Sequence, residues 1–277
     1  MSRPIPGFVA LLLCLASVAR AEPMPASEPL DALLRRSGLD AQLVHFEAAM
    51  QRGITAAYQS QRQLPPEQLS RMRKAVAQAY APSSLRPTLR SALAKSLSRA
   101  EIAAALAWLD SPTGRKLTEL EEKASTPEAQ ERLEAAARRG IPQLGAGRTQ
   151  TLHGLIKATR ADEAAASILI ETAVGINEGF ALFGPESSSA TVADLRRGME
   201  SERAKLVEEL HAQSFVAFAL VYADATDAEL AALLRFARSP AGARYHDVTA
   251  RAFASTLAQA ARRLGGALAA PAAPADI

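Results

Sequence analysis

An all-α fold, a multi-helix bundle made of two tandem, diverged helical repeats, is the architecture this sequence predicts. Three observations lead to it. Alanine, leucine, arginine and glutamate dominate while aromatic residues make up 5% of the chain, a composition from the top of the helix-propensity scale and poor in strand-favouring residues. No run shows the sustained apolar/polar alternation between hairpin turns that marks half-buried strands. Apolar residues recur instead at steps of three and four, and one pattern occurs twice.

The N-terminus has the pattern of a secretory signal peptide over residues 1–21. Arg3 supplies the positive charge, Phe8 to Val18 the apolar stretch, and Ala19-Arg20-Ala21 the small-x-small cleavage site. Cleavage is expected after Ala21, giving a periplasmic or secreted protein. The stretch is too short for a comfortable membrane span. A lipid anchor on Cys14 would want a small residue before it, and Leu13 stands there. The mature chain then has no cysteine, which excludes disulfides and cysteine metal sites. It keeps 30 basic against 29 acidic residues, because Arg3 and Arg20 leave with the signal. A balanced chain gives no global reason to bind nucleic acid or an anionic membrane. The dispersed pairs Arg35-Arg36, Arg138-Arg139, Arg196-Arg197 and Arg262-Arg263, without interleaved aromatics, make a poor nucleic-acid footprint.

Residues 22–29, rich in proline, are expected to be extended. Residues 30–140 form the first repeat, 141–149 a glycine-bearing linker, 150–265 the second repeat, and 266–277 an Ala/Pro tail that cannot bury much surface. Within the first repeat, Leu39, Leu43, Phe46, Met50 and Ile54 put an apolar stripe on a helix over residues 39–58. Leu169, Ala173, Ile176, Phe180 and Phe183 do the same over 162–183, which Gly184-Pro185 ends. Glu171, Asn177 and Glu178 keep that helix from reading as a membrane span. Gly175 and Gly179 within it have the spacing that lets two helices cross closely. A single long helix is expected from 191 to 223. Its end, Phe215 to Tyr222, is apolar all round and should sit centrally in the core.

The doubled pattern is the most specific signal. Residues 98–114 read SRAEIAAALAWLDSPTG and residues 226–242 read TDAELAALLRFARSPAG, at a constant offset of 128. Ser98 with Glu101, and Thr226 with Glu229, are S/T-x-x-E capping boxes that open a helix. Ser111 with Pro112, and Ser239 with Pro240, end it and begin the next, the serine capping and the proline taking the first position. Gly114 and Gly242 follow two residues later, and Trp108 and Phe236 occupy equivalent places on the apolar helix. A weaker echo pairs Leu30-Asp-Ala-Leu-Leu-Arg with Leu152-His-Gly-Leu-Ile-Lys. The two repeats are expected to pack as a pseudo-symmetric pair with one shared core.

The segment E-[IL]-x-x-x-L-x-[WF]-x-x-S-P-x-G, followed in the first copy by Arg115-Lys116, resembles the signature of a helical family of exported bacterial proteins of unknown function. The second copy has Ala243-Arg244 in place of the basic pair. The resemblance implies a fold and a compartment. It carries over no reaction, cofactor or catalytic residue.

Chemistry is otherwise sparse. No G-x-S-x-G elbow, nucleotide cradle or H-E-x-x-H occurs in the mature chain. Four histidines remain: His45, His153, His211 and His246. Glu208 and His211 share a helical face as E-x-x-H, half of a bundle metal site, but a second E-x-x-H is missing, so no metal or other cofactor is expected. His246 and Asp247 are helix neighbours that point apart. Glu119, Glu121 and Glu122 are expected to form a solvated face. The reading that follows is a non-enzymatic protein that binds another protein, a peptide or an apolar ligand. The alternative is a hydrolase whose site is assembled from dispersed Glu, Asp and His. A pocket with convergent carboxylates or histidines would favour the enzyme, and an apolar groove without ionisable groups the binder.

Overall fold

The computed structural model describes residues 28–61, 66–141, 143–182 and 187–270. The expected signal peptide, residues 22–27, Phe183, the Gly184-Pro185 stop and the tail from 271 onwards lie outside the described residues. Within them there are thirteen helices and no strand. These are α1 (Glu28–Arg36), α2 (Leu39–Gln61), α3 (Pro66–Ala79), α4 (Pro82–Ser96), α5 (Arg99–Leu109), α6 (Pro112–Ser125) and α7 (Pro127–Arg139). After Gly140 follow α8 (Ala146–Thr159), α9 (Ala161–Ala181), α10 (Ser187–Ser201), α11 (Arg203–Val221), α12 (Asp227–Arg238) and α13 (Pro240–Ala269). No helix among the described residues is long and apolar enough to cross a membrane.

Several boundaries differ from those read in the sequence. Residues 146–149 of the expected linker belong to α8, and Gly140, at φ 88°, closes α7 in the left-handed region that glycine tolerates. α13 runs on to Ala269 instead of ending near 265. The single long helix over 191–223 is broken at Glu202 into α10 and α11. Ser201 Oγ donates to the Gly198 carbonyl at 2.7 Å, competing for the oxygen that would continue the ladder.

Two main cores form. In the larger, Leu33 and Leu34 of α1, Leu43 and Phe46 of α2, Val76 of α3 and Leu85, Leu89 and Leu93 of α4 close around Phe253, Leu257 and Leu264 of α13. Phe46 meets Phe253 edge-on at 6.3 Å. In the smaller, Leu152, Leu155 and Ile156 of α8, Phe218 and Val221 of α11 and Leu230 and Leu233 of α12 enclose Leu117 of α6. Each helix that follows a Ser-Pro corner therefore crosses over. α6 packs on α11 and α12, while α13 packs on α3, α4 and α5 as well as on α9. Other contacts correspond as well: α1 touches α2, α4 and α5, and α8 touches α9, α11 and α12.

The α9–α13 crossing is the most extensive helix contact, and small residues make it possible. A Cβ on Gly179 would lie 2.1 Å from the Arg262 carbonyl oxygen, and one on Gly265 would lie 2.0 Å from the Ile176 carbonyl oxygen. The close crossing expected from Gly175 and Gly179 is thus present, with Gly265 on the opposite helix. Gly265 was expected at the edge of a disordered tail. It lies inside α13, where its backbone meets that of α9.

Candidate binding hollow and histidine relay

Capping and corner contacts occupy the residues singled out by the repeated pattern. Ser98 Oγ accepts from the Glu101 amide at 3.2 Å, and the Glu101 carboxylate accepts from the Ser98 amide at 2.7 Å. Thr226 and Glu229 make the same reciprocal pair at 3.3 and 2.8 Å. Ser111 Oγ and Ser239 Oγ accept from the amides of Gly114 and Gly242, both at 3.0 Å, with Pro112 and Pro240 opening the next helix. Gly114 and Gly242 are glycines because a Cβ would strike the carbonyl oxygens of Trp108 and Phe236, at 2.2 and 1.9 Å. Losing a helix cap costs about 1 kcal/mol. Ser111→Ala and Ser239→Ala are each expected to lower the unfolding free energy by that amount in urea titrations, with the helical circular-dichroism signal unchanged.

The two corners also meet each other. Trp108 and Phe236 stack with ring centroids 4.9 Å apart and planes 8° from parallel. Lys116 Nζ lies 2.7 Å from the Glu229 carboxylate, and Arg244 Nε lies 3.5 Å from that of Glu101. The N-terminal carboxylate of each corner is thus met by the basic residue that follows the other. Lys116, then the Thr226 amide, holds Glu229 below the usual carboxylate range; the Ser98 amide is the main cause of the same lowering at Glu101. Charges fixed by caps and partners in this way are structural.

A narrow, partly open cavity of about 70 Å³ lies where α6, α9, α11 and α13 converge, with residues of α2, α8 and α12 completing its wall. Glu121 lines it and is buried at 6% exposure, against the expected solvated face. The reason is the hydroxyl of Tyr222, the residue that caps the C-terminus of α11, which donates to its carboxylate. His246 lines the same cavity, and its Nε2 is enclosed without a hydrogen-bond partner, although part of the residue reaches the surface. The volume suits a few waters and no organic ligand. Burial pushes the His246 imidazole down to about 4 from an ordinary 6.5. Between those values the unfolded chain takes up a proton that the folded chain does not, so stability falls as pH falls through that window. From pH 6.5 to 5 this one group removes about 2 kcal/mol, at about 1.4 kcal/mol per unit. His246→Phe is expected to flatten the dependence of the urea midpoint on pH between 7 and 5. An unchanged slope would show that other groups set it.

Two of the four histidines meet in an open hollow of about 640 Å³ between α8, α11 and the start of α9. Asp162, in the first turn of α9, is buried at 8% exposure. Its Oδ2 accepts from His211 Nδ1 at 2.8 Å. His211 Nε2 in turn lies 2.9 Å from Nδ1 of His153 on α8. A carboxylate only accepts, so His211 carries its proton on Nδ1, and a single proton is shared between the facing nitrogens of the two rings. Phe215 stacks on the His153 ring at 4.5 Å. Val207, Ala204, Ala212, Val216 and Glu208 complete the lining. The hollow thus presents an apolar floor, a proton relay ending at an exposed imidazole, and one carboxylate.

Only the Glu208–His211 spacing in this set is visible in sequence. Asp162 and His153 come from two other helices, and nothing local in the chain ties them to His211. His45, on α2, stands apart; burial, then Arg52, pushes its imidazole down. The expected central position of Phe215 to Tyr222 holds for one face only. Phe218, Ala219, Val221 and Tyr222 are buried, whereas Phe215, Val216, Ala217 and Leu220 are half-buried.

Residues 83–143, spanning α4 to α7 and the first corner, match the model of a bacterial family described as "uncharacterized protein conserved in bacteria (DUF2059)". No curated protein and no solved structure matches the chain.

Proposed function

We propose that this chain is an exported, non-enzymatic bacterial envelope protein that binds a protein, a peptide or an apolar ligand on the open face of α11. The observation that carries the reading is the half-buried run of Phe215 and Val216, contiguous with Val207 and Ala212 around the hollow. An apolar helix face left partly open beside a few fixed polar groups is the usual make-up of a binding site. Export rests on the charged, apolar and small-residue pattern of residues 1–21. The match to a bacterial family over residues 83–143 agrees with it in source. Tandem duplication of residues 30–140 and 150–265 is supported by the matching caps, the Trp108–Phe236 stack and the reciprocal ion pairs.

The test is affinity capture from envelope extracts with the mature protein and with Val216→Asp, lipids and proteins being identified by mass spectrometry. A species retained by the wild type and lost with Val216→Asp supports the reading. An identical set on both proteins removes α11 as the binding face. Intact mass of the exported chain checks the compartment: a start at Glu22 without an acyl group is expected.

The Asp162–His211–His153 relay favours one second reading, a hydrolase in which His153 acts as general base towards water. No hydroxyl, thiol, lysine or arginine lines the hollow to serve as nucleophile or to stabilise an oxyanion. Turnover of simple ester or amide substrates that disappears with His153→Ala would establish that reading over the first.

A further inference from the structure

We propose that His153 and His211 form a binding site for a divalent transition-metal ion of the zinc, nickel and copper class. The site lies in the same hollow as the α11 docking face, but the inference holds whether or not that face takes a partner.

Two imidazole nitrogens face each other across a single shared hydrogen. His153 Nδ1 and His211 Nε2 are 2.9 Å apart, with ring planes within 3° of each other. Two nitrogens on one tetrahedral ion, each at about 2.0–2.1 Å, stand about 3.3 Å apart. The nitrogens now point head-on at each other, so to share an ion they must part by about 0.4 Å and the rings must tilt until both lone pairs converge on it, a motion open to His153, which is exposed on the surface of α8. His211 is the fixed partner. Its other nitrogen donates to the buried Asp162 carboxylate, the carboxylate–histidine arrangement that sets the tautomer and raises the basicity of a metal-binding imidazole. Asp162 is itself held by the Glu163 amide, which donates to Oδ1 at 2.8 Å. A histidine on a solvated helix face has no need of such an anchored carboxylate behind it.

The proton count closes. In the empty pair, Asp162 fixes the proton of His211 on Nδ1, so the hydrogen between the rings belongs to His153 Nδ1. The ion takes the place of that hydrogen, and His153 Nε2, open to water, takes one up instead. Both rings stay neutral, as ligands must. Among the described residues no three His, Cys, Asp or Glu stand close enough to hold an ion as they are. The site is therefore a two-imidazole clamp whose other positions are filled by water or an incoming ligand. Glu208 lines the same hollow one turn before His211 on α11 and is the one carboxylate that side-chain rotation brings towards the ion. Imidazole with carboxylate and water suits zinc, nickel and copper(II), and not the hard cations that demand all-oxygen cages. The hollow is open on one side, so the ion would keep coordination positions free.

The test is titration of the full mature chain, tag removed, with Zn²⁺ by calorimetry and with Cu²⁺ by electron paramagnetic resonance. One ion per chain is expected, with nitrogen hyperfine coupling from two imidazoles. His153→Ala lies on an exposed position and leaves the fold intact by circular dichroism; it should weaken binding at least tenfold, and His211→Ala likewise. Asp162→Asn, which removes the supporting carboxylate and no ligand, should weaken binding roughly 10–100-fold. His45→Ala should change nothing. Binding that is undiminished in His153→Ala, or no saturable binding by the wild type, overturns the proposal. Capture that is identical for the wild type and Val216→Asp, while Zn²⁺ still binds, leaves the metal site standing alone.

Discussion

Gly265→Ala should destabilise the chain by about 3 kcal/mol or more, through overpacking where α13 crosses α9. In a domain of this size that corresponds to a fall of roughly 6–12 °C in melting temperature. The added methyl has no flexible side chain to displace. It meets the Ile176 carbonyl oxygen at 2.0 Å and the Gly179 Cα at 3.1 Å, so relief requires one helix to lift off the other. Lifting α13 also withdraws Phe253, Leu257 and Leu264 from the larger core. Gly179→Ala should behave the same way, since its methyl would approach the Arg262 carbonyl oxygen at 2.1 Å. Gly198 is the control. It lies in α10 with nothing within 4 Å of its Cβ position, and Gly198→Ala should raise stability by about 0.5–1 kcal/mol through helix propensity alone. Thermal melts of the three variants decide the matter. A Gly265→Ala protein that melts with the wild type would mean that the helices do not touch at this point.

Trp108→Ala is the second large effect, at about 2–3 kcal/mol. A fully enclosed tryptophan costs about 3–5 kcal/mol to truncate, and Trp108 is only half-buried. Its position raises its importance, because it packs against both main cores and stacks on Phe236. Phe236→Ala should cost somewhat less. The double variant should fall short of the sum by about 0.5–1.5 kcal/mol, the usual worth of an aromatic pair beyond its buried area. Urea titrations of the four proteins measure this coupling. Strict additivity would mean that the two corners share a neighbourhood and no joint.

Much of the scaffold was legible because the information is local. Capping boxes, Ser-Pro corners and the stripe of Leu39, Leu43 and Phe46 each lie within a few turns of chain, and propensity and periodicity read them directly. The break at Glu202 was not legible, since the residues around it have respectable helix propensity and the interruption depends on the Ser201 hydroxyl finding the Gly198 carbonyl. The burial of Glu121 was missed for a related reason: its partner Tyr222 stands 101 residues away. The hollow was half legible. Glu208 and His211 share a helix face by spacing, but His153 and Asp162 reach His211 only through the packing of α8 and α9 on α11. Residues brought together from three helices leave no mark in a single sequence.

The crossing-over of α13 has a consequence for the order of events during synthesis. A chain leaves the ribosome from its N-terminus, and domains ordinarily fold as they emerge. Here α1 to α5 cannot finish their core at that stage, because Phe253, Leu257 and Leu264 are among the last residues made. The early helices must wait, with the cleft meant for α13 uncovered, until nearly the whole polypeptide exists. Such a molecule assembles late and all at once. Losing its final helix would do more than shorten it; the N-terminal core would be left open along the side that Phe253, Leu257 and Leu264 cover.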